Sequence, residues 1–255
     1  TTASECRPPP LGALPLPART SKSGGTSSTT SIANDPRSRF VLMAPPSLLA
    51  PSLRTFALAA QESYTHATLA TNGSEVLFKW VPEGLIVAAR GTDEARDILT
   101  DVWAWPVRDR DLGWCHSGFL HDARAMWAAV RGPLLKHLLA GVPVWFTGHS
   151  KGGAWATLTA GLVLMDLKLP PDGLVTFGAP RAGGWKLLRA LTPISQRRVV
   201  NAGDPVPGVP LPGFLVHPGR NADRLLLPHS PDLRPDHPIA RYVERIDPET
   251  PAFNS

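Results

Sequence analysis

The stretch 142–159, VPVWFTGHSKGGAWATLT, restricts the possible folds more than any other part of the chain. An apolar run of Val144, Trp145 and Phe146 leads into Gly148-His149-Ser150-Lys151-Gly152 and then into small, helix-compatible residues. This is a G-x-S-x-G pattern set between a strand and a helix. A strand that turns sharply into a helix holds its central serine in a strained conformation with the hydroxyl presented. Glycines on either side remove side chains that would collide across the turn. Gly153 and Ala154 extend the small surface, so the helix can pack close to the sheet. Ser150 then stands at a helix N-terminus, where unpaired N–H groups and the dipole favour developing negative charge. The pattern alone also describes a Gly-rich turn with a bystander serine. Its place between strand and helix selects the nucleophile.

The rest of the chain reads as an alternation of strands and helices. Leu53, Phe56, Ala57, Ala60 and Tyr64 recur at helical spacing, which predicts a helix of about four turns running to His66. Strands are expected at 75–80 and 85–89, the second ending in Arg90-Gly91-Thr92-Asp93. A helix is expected at 97–105. The HSGF stretch at 116–119 leads into a long helix through Trp127, Val130 and Leu134, bent at Pro133. After the elbow helix come a strand at 174–177, a short helix at 184–191 and a strand at 197–200. Short strands at 214–217 and 224–227 precede a last helix beginning at His237. The expected fold class is therefore α/β, a mainly parallel sheet with helices on both faces. In such sheets reactive groups gather at the carboxyl ends of the strands, and Thr92, Ser150 and Asp204 each follow a predicted strand.

Composition narrows the function classes. The 255 residues carry a net charge of +5, but the basic residues are scattered, with no run interleaved with aromatics, which argues against a nucleic-acid partner. No apolar run approaches the ~20 residues of a transmembrane segment. The two cysteines, Cys6 and Cys115, make no disulfide framework. Residues 1–45 read as a disordered Pro/Ser/Thr-rich extension, 46–248 as the folded domain and 249–255 as a C-terminal tail. The extension has no continuous apolar core of a signal peptide, and the compartment, cytoplasmic or secreted, stays open. The chain begins at Thr1 and its first methionine is Met43. A processed or truncated precursor and an upstream extension of a protein starting near Met43 both fit, and the second is preferred.

A serine hydroxyl needs a base, and the base an orienting carboxylate, in the chain order Ser, Asp or Glu, His. Asp204 follows an apolar strand and is fixed between Gly203 and Pro205. Asp166 and Asp172 read as helix-end and turn residues, and Asp223, Asp232 and Asp236 lie in polar loop text. Three histidines follow Asp204, namely His217, His229 and His237, and chemistry alone separates them weakly in favour of His237. Trp103, Trp105 and Trp114 fit either core packing or a lid or acyl-chain surface near the nucleophile.

GHSKGGA, TFGAPRAG, NAGDPVPGVP, RGT after a strand, HSGF and HPIARYV together resemble the class 3 lipases, a family of the α/β-hydrolase fold that includes the filamentous-fungal triacylglycerol lipases. The likeness covers roughly residues 52–243. It implies Ser150 as nucleophile, Asp204 as triad acid and His237 as base. It also implies an oxyanion hole from Thr92 and the backbone N–H of Lys151, whose side chain is expected to matter little. His149 is expected to point into packing and His116 to be structural. The activity implied is hydrolysis of carboxylic, acylglycerol-type esters through an acyl-enzyme, with no metal or organic cofactor required. The partner implied is an acyl ester or lipid substrate, with room for a transient lipid interface. The segment after Thr92 holds Asp93, Glu94, Arg96, Asp97 and Asp101, more charged than the family's lid. A short-chain carboxylesterase, a phospholipase and a non-catalytic binding protein of the same fold remain as alternatives.

Overall fold

The computed structural model describes residues 50–71, 74–92, 105–211, 213–217, 222–229 and 235–253. The extension at 1–45 and the helix expected at 97–105, except Trp105, lie outside them, as does Trp103.

Among the described residues, seven strands form one sheet in the order β1-β2-β3-β6-β7-β8-β9. These are β1 (Leu69–Thr71), β2 (Ser74–Val81), β3 (Gly84–Ala89), β6 (Val144–His149), β7 (Gly173–Phe177), β8 (Ser195–Asn201) and β9 (Ala222–Leu227). From β3 to β9 every neighbouring pair is parallel, and β1 and β2 add an antiparallel edge. Alternation along β3 sends Leu85, Val87 and Ala89 to one core and Ile86 and Ala88 to the other. Against the first face pack α2 (Ser117–Leu139), α3 (Lys151–Leu167) and α4 (Trp185–Ala190); against the second pack α1 (Leu53–Glu62) and α5 (Ile239–Arg245). Burial on both faces explains why β3, β6 and β7 read as continuous apolar runs.

Several local features depart from the expected pattern. Helix α1 starts at a capping serine, whose Oγ accepts the Thr55 N–H at 3.2 Å. It ends at Glu62, one turn early, where the Ser63 hydroxyl donates to the Ala60 carbonyl at 2.8 Å. Tyr64 thereby leaves the helix and is free to reach the sheet. Helix α2 continues through Pro133, which lies on its exposed face, where water can take the bond that proline removes. Residues 214–217 contribute only an isolated bridge from Val216 to Gly183 rather than a strand.

A two-stranded hairpin, β4 (Pro106–Asp109) and β5 (Gly113–His116), has no counterpart in the expected elements. Its four-residue strands carry no hydrophobic period. The turn between them is nevertheless encoded, because Asp109 Oδ1 accepts the N–H groups of Asp111 and Leu112 at 2.8 and 2.9 Å and Gly113 adopts φ +81°. At the other end of the chain, Pro251 bridges Ser52, Ala252 is buried and Phe253 packs edge-on against Phe56. The segment expected as a tail is thus docked on α1 as far as Phe253.

Candidate active site

The elbow forms as its residue types demand. Ser150 sits between β6 and α3 at φ 58° and ψ −129°, a region that non-glycine residues rarely occupy. The Phe177 carbonyl holds its N–H at 2.9 Å. A Cβ at Gly148 would strike the Gly152 backbone, and one at Gly152 would strike the Ala89 carbonyl. The two glycines therefore let helix and strand tips come into backbone contact.

Two loops bring partners to this serine. Asp204 follows β8, and its Oδ1 accepts the Val206 N–H at 2.9 Å. His237 precedes α5, with Nε2 2.8 Å from Ser150 Oγ and Nδ1 2.8 Å from Asp204 Oδ2. The serine hydroxyl can donate to Nε2 only if Nδ1 carries the proton and donates to the carboxylate. All three side chains are buried.

Around them lies a shell that the sequence pattern did not reveal. The Tyr242 hydroxyl donates to Asp204 Oδ2 at 2.5 Å. Burial, reinforced by the negative charge of Asp204, pushes this phenol well above the ordinary tyrosine range, so it stays a donor. His149 was expected in packing, and it is buried, but both ring nitrogens are used. Its Nε2–H donates to the His237 carbonyl at 2.7 Å, and its Nδ1 accepts the Tyr64 hydroxyl at 2.7 Å. A carbonyl can only accept, so the tautomer is fixed. Burial first, and His237 second, hold this imidazole down to about 3. The preceding residue is tied too: Asn201 Nδ2–H donates to the Asp236 carbonyl at 2.7 Å, and the Asp236 carboxylate meets His229 at 2.6 Å and Arg245 at 2.5 Å. The loop carrying His237 is pinned at two successive carbonyls. The G-H-S-x-G spelling and the tyrosine within the last helix were the available signals, but neither names its partner.

The rival residues lie elsewhere. Asp166 binds Trp127 and Arg131, and Asp172 accepts the Val144 N–H at the start of β6. His217 donates to the Pro207 carbonyl at 2.6 Å, and His229 serves Asp236. His116 caps α2 through the Phe119 N–H. Asp232 and the side chain of Asp223 lie outside the described residues.

Thr92 follows β3, and the adjoining Gly91 is so close to the His149 carbonyl that a Cβ would approach it to 2.6 Å. Among the described residues the Thr92 hydroxyl is buried without a partner. Lys151 is the first residue of α3, so its N–H has no intrahelical acceptor. Its ammonium pairs with Asp122 at 3.2 Å and lies 4.7 Å from the Trp155 ring centre. Core packing does not account for Trp105 or Trp114, which are 83% and 40% exposed. No helix among the described residues is long and apolar enough to cross a membrane.

The chain is similar to several known proteins. A lipase of Caenorhabditis elegans is 33% identical over 138 residues, covering 51% of this chain and 39% of the relative. The toxin TseL of Vibrio cholerae is 30% identical over 115 residues, covering 44% of this chain and 18% of the toxin. The chain thus spans well under half the length of these curated relatives. Among solved structures, the triacylglyceride lipase of Rhizomucor miehei superposes with a TM-score of 0.59 at 20% identity, over 68% of this chain and 78% of that one. A lipase of Yarrowia lipolytica gives 0.52 at 18% identity, over 74% and 81%. These likenesses show the α/β-hydrolase fold. The family model "Lipase (class 3)" matches residues 86–214, from β3 through the elbow and Asp204, and stops short of His237. With half its length in that match, the chain belongs to the class 3 lipase family.

Proposed function

We propose that this chain is a serine hydrolase of carboxylic, acylglycerol-type esters. The observation that carries the reading is the continuous chain of hydrogen bonds from Ser150 Oγ through His237 to Asp204, built on a strained elbow. Ser150 attacks the ester carbonyl while His237 Nε2 takes its proton, and Asp204 stabilises the imidazolium and keeps Nδ1 as the protonated nitrogen. The tetrahedral oxyanion is met by the Lys151 N–H and by Thr92, whose hydroxyl has no partner among the described residues; one such donor is worth about 100- to 1,000-fold in rate. His237 then protonates the leaving alcohol, the acyl-enzyme forms, and the same imidazole activates the water that releases the acid. Membership of the family supports an acyl ester of lipid type as substrate, met at a lipid interface.

The test is hydrolysis of a p-nitrophenyl acyl series, from acetate to palmitate, by the native chain and by Ser150→Ala. The reading expects turnover that falls by about 10⁴-fold or more in the variant, with the chain-length optimum choosing between lipase and short-chain esterase. Equal background rates in both proteins would leave a binding protein on a hydrolase fold.

A further inference from the structure

The hairpin β4–β5 and the start of α4 enclose an open groove of about 730 Å³, and none of its lining residues belongs to the Ser150–His237–Asp204 set. Its aromatic walls are Trp114, Trp185 and Phe214, of which Trp185 and Phe214 are 64% and 61% exposed. Trp114 and Phe214 lie with ring centres 5.0 Å apart, so they present one continuous surface. Leaving such rings in water forgoes burial of large apolar area, which marks the surface as one used for contact. Arg108, Arg110 and Lys186 line the same groove. The acids of the hairpin offset them only in part, because Asp109 is engaged by Arg124 from α2 and Asp111, 3.4 Å from both Arg124 and Arg110, is shared between the two. Among the described residues of the groove and its hairpin, Arg108, Arg110, Lys186 and Arg124 therefore stand against Asp109 and Asp111. The geometry of the groove is fixed rather than floppy: Gly184 N–H donates to the Trp114 carbonyl at 2.7 Å and Lys186 Nζ to the Arg110 carbonyl at 2.6 Å.

We infer that this groove docks the protein on an anionic phospholipid surface, with the three aromatic rings at the headgroup level and Arg108, Arg110 and Lys186 against the phosphates. Aromatic side chains with an apolar body and, in tryptophan, a polar edge partition to that level. Cations beside them add electrostatic attraction that a neutral surface does not supply. The groove is also linked to the elbow through the chain. The segment 178–184 runs from the carboxyl end of β7, where the Phe177 carbonyl holds the Ser150 N–H, directly to Trp185. A surface seated in the groove is thus joined to the nucleophile by a single short loop. The inference rests on the ester-hydrolase reading, since it states where the acyl substrate lies.

The experiment is co-sedimentation of the full chain carrying Ser150→Ala with vesicles of phosphatidylcholine alone and of phosphatidylcholine mixed with phosphatidylglycerol. Because this variant turns nothing over, binding and hydrolysis report separately. Binding is expected on the mixed vesicles, weakening with added salt. Each cation changed to glutamine is expected to lower the partition constant about fivefold, and all three together about 100-fold. Trp185→Ala with Phe214→Ala is expected to lower it by about tenfold at any lipid charge. Arg110→Gln guards against misfolding, because that side chain is 92% exposed. Equal binding to neutral and anionic vesicles, no binding to either, or a chain dimer broken by Trp185→Ala would each overturn the inference. Absence of vesicle binding with the groove residues unchanged, alongside Ser150-dependent hydrolysis of soluble esters by the native chain, would overturn the docking face alone. Vesicle binding without any Ser150-dependent hydrolysis would overturn the hydrolase reading alone.

Discussion

Strand β8 serves two polar clusters built on opposite plans. At its carboxyl end, Asn201 and Asp204 belong to a set in which donors meet acceptors: Tyr242 and His237 on the Asp204 carboxylate, His149 on the His237 carbonyl, Asn201 on the Asp236 carbonyl. Three residues earlier, Arg198 stands directly across from Arg224 on β9, like charge against like. Its Nε is buried without an acceptor among the described residues. Burial, then Arg224 and Arg181, hold Arg198 down to about 10, and burial, then Arg198, hold His217 down to about 3. In the first cluster each of these donor protons is directed at a named acceptor, although Asn201 Oδ1 has no partner among the described residues, so a proton can pass between Ser150 and His237 along a defined path. The second supplies a standing positive field and no path. It is tolerated because Arg224 is exposed and water screens the repulsion.

The largest effect expected from this difference is at Asp204. Asparagine at that position keeps the volume but presents an N–H₂ group to His237 Nδ1, which then must accept. The proton moves to Nε2 and faces Ser150, where a base is needed. The rate constant kcat for ester hydrolysis is expected to fall by about 10⁴-fold with the fold retained. A loss below tenfold in Asp204→Asn, measured beside its circular dichroism and melting curve, would mean that the carboxylate pairing does not set the tautomer.

The two histidines held at about 3 give a second, smaller contrast. Each binds a proton in the unfolded chain below about pH 6.5 that the folded chain refuses until near pH 3. The depressed folded value means that their stability contribution is fully present above about pH 6.5 and is lost as pH falls through the window between. The slope is about 1.4 kcal/mol per pH unit for each histidine. Urea unfolding across this window should show it, with His149→Phe and His217→Phe each removing about 1.4 kcal/mol per pH unit. Added salt should reduce the His217 share more than that of His149, because after burial His217 faces three arginine charges and His149 a single neighbouring imidazole. Equal salt sensitivity would erase the distinction between the clusters.

How far the sequence reveals these clusters follows from how local their signals are. The elbow, the parallel strands and the residues at their carboxyl ends are legible because each depends on period or on glycine at a fixed offset. His237 is singled out over His217 and His229 only weakly by its loop and more firmly by family likeness. Tyr64, His149, Tyr242 and Asn201 are not legible as a set, since their contacts join positions 41 and 85 residues apart for Asn201–Tyr242 and Tyr64–His149. Nothing local to Tyr64 announces that its helix stops a turn early. The Arg198–Arg224 opposition is hidden for a related reason: register between β8 and β9 depends on a loop whose length carries no pattern.

The smallest expected effect bears on that opposition. Arg224→Gln removes one of two facing charges while keeping a polar, exposed side chain, so no core volume changes. If the pair is repulsive, the variant is more stable than the native chain by about 0.5 kcal/mol at low ionic strength. The gain should vanish as salt shortens the Debye length toward about 3 Å near 1 M. The same substitution should let His217 take its proton at a higher pH, because part of the field opposing the imidazolium has gone, and two-dimensional NMR of the imidazole would follow that titration. Arg198→Gln is the harsher companion, since its partly buried stem also packs against the sheet and its loss costs contact as well as repulsion. A variant at Arg224 that is less stable at every salt concentration would mean that its guanidinium holds the strand edge by an attraction, and that the two ends of β8 are built on the same plan after all.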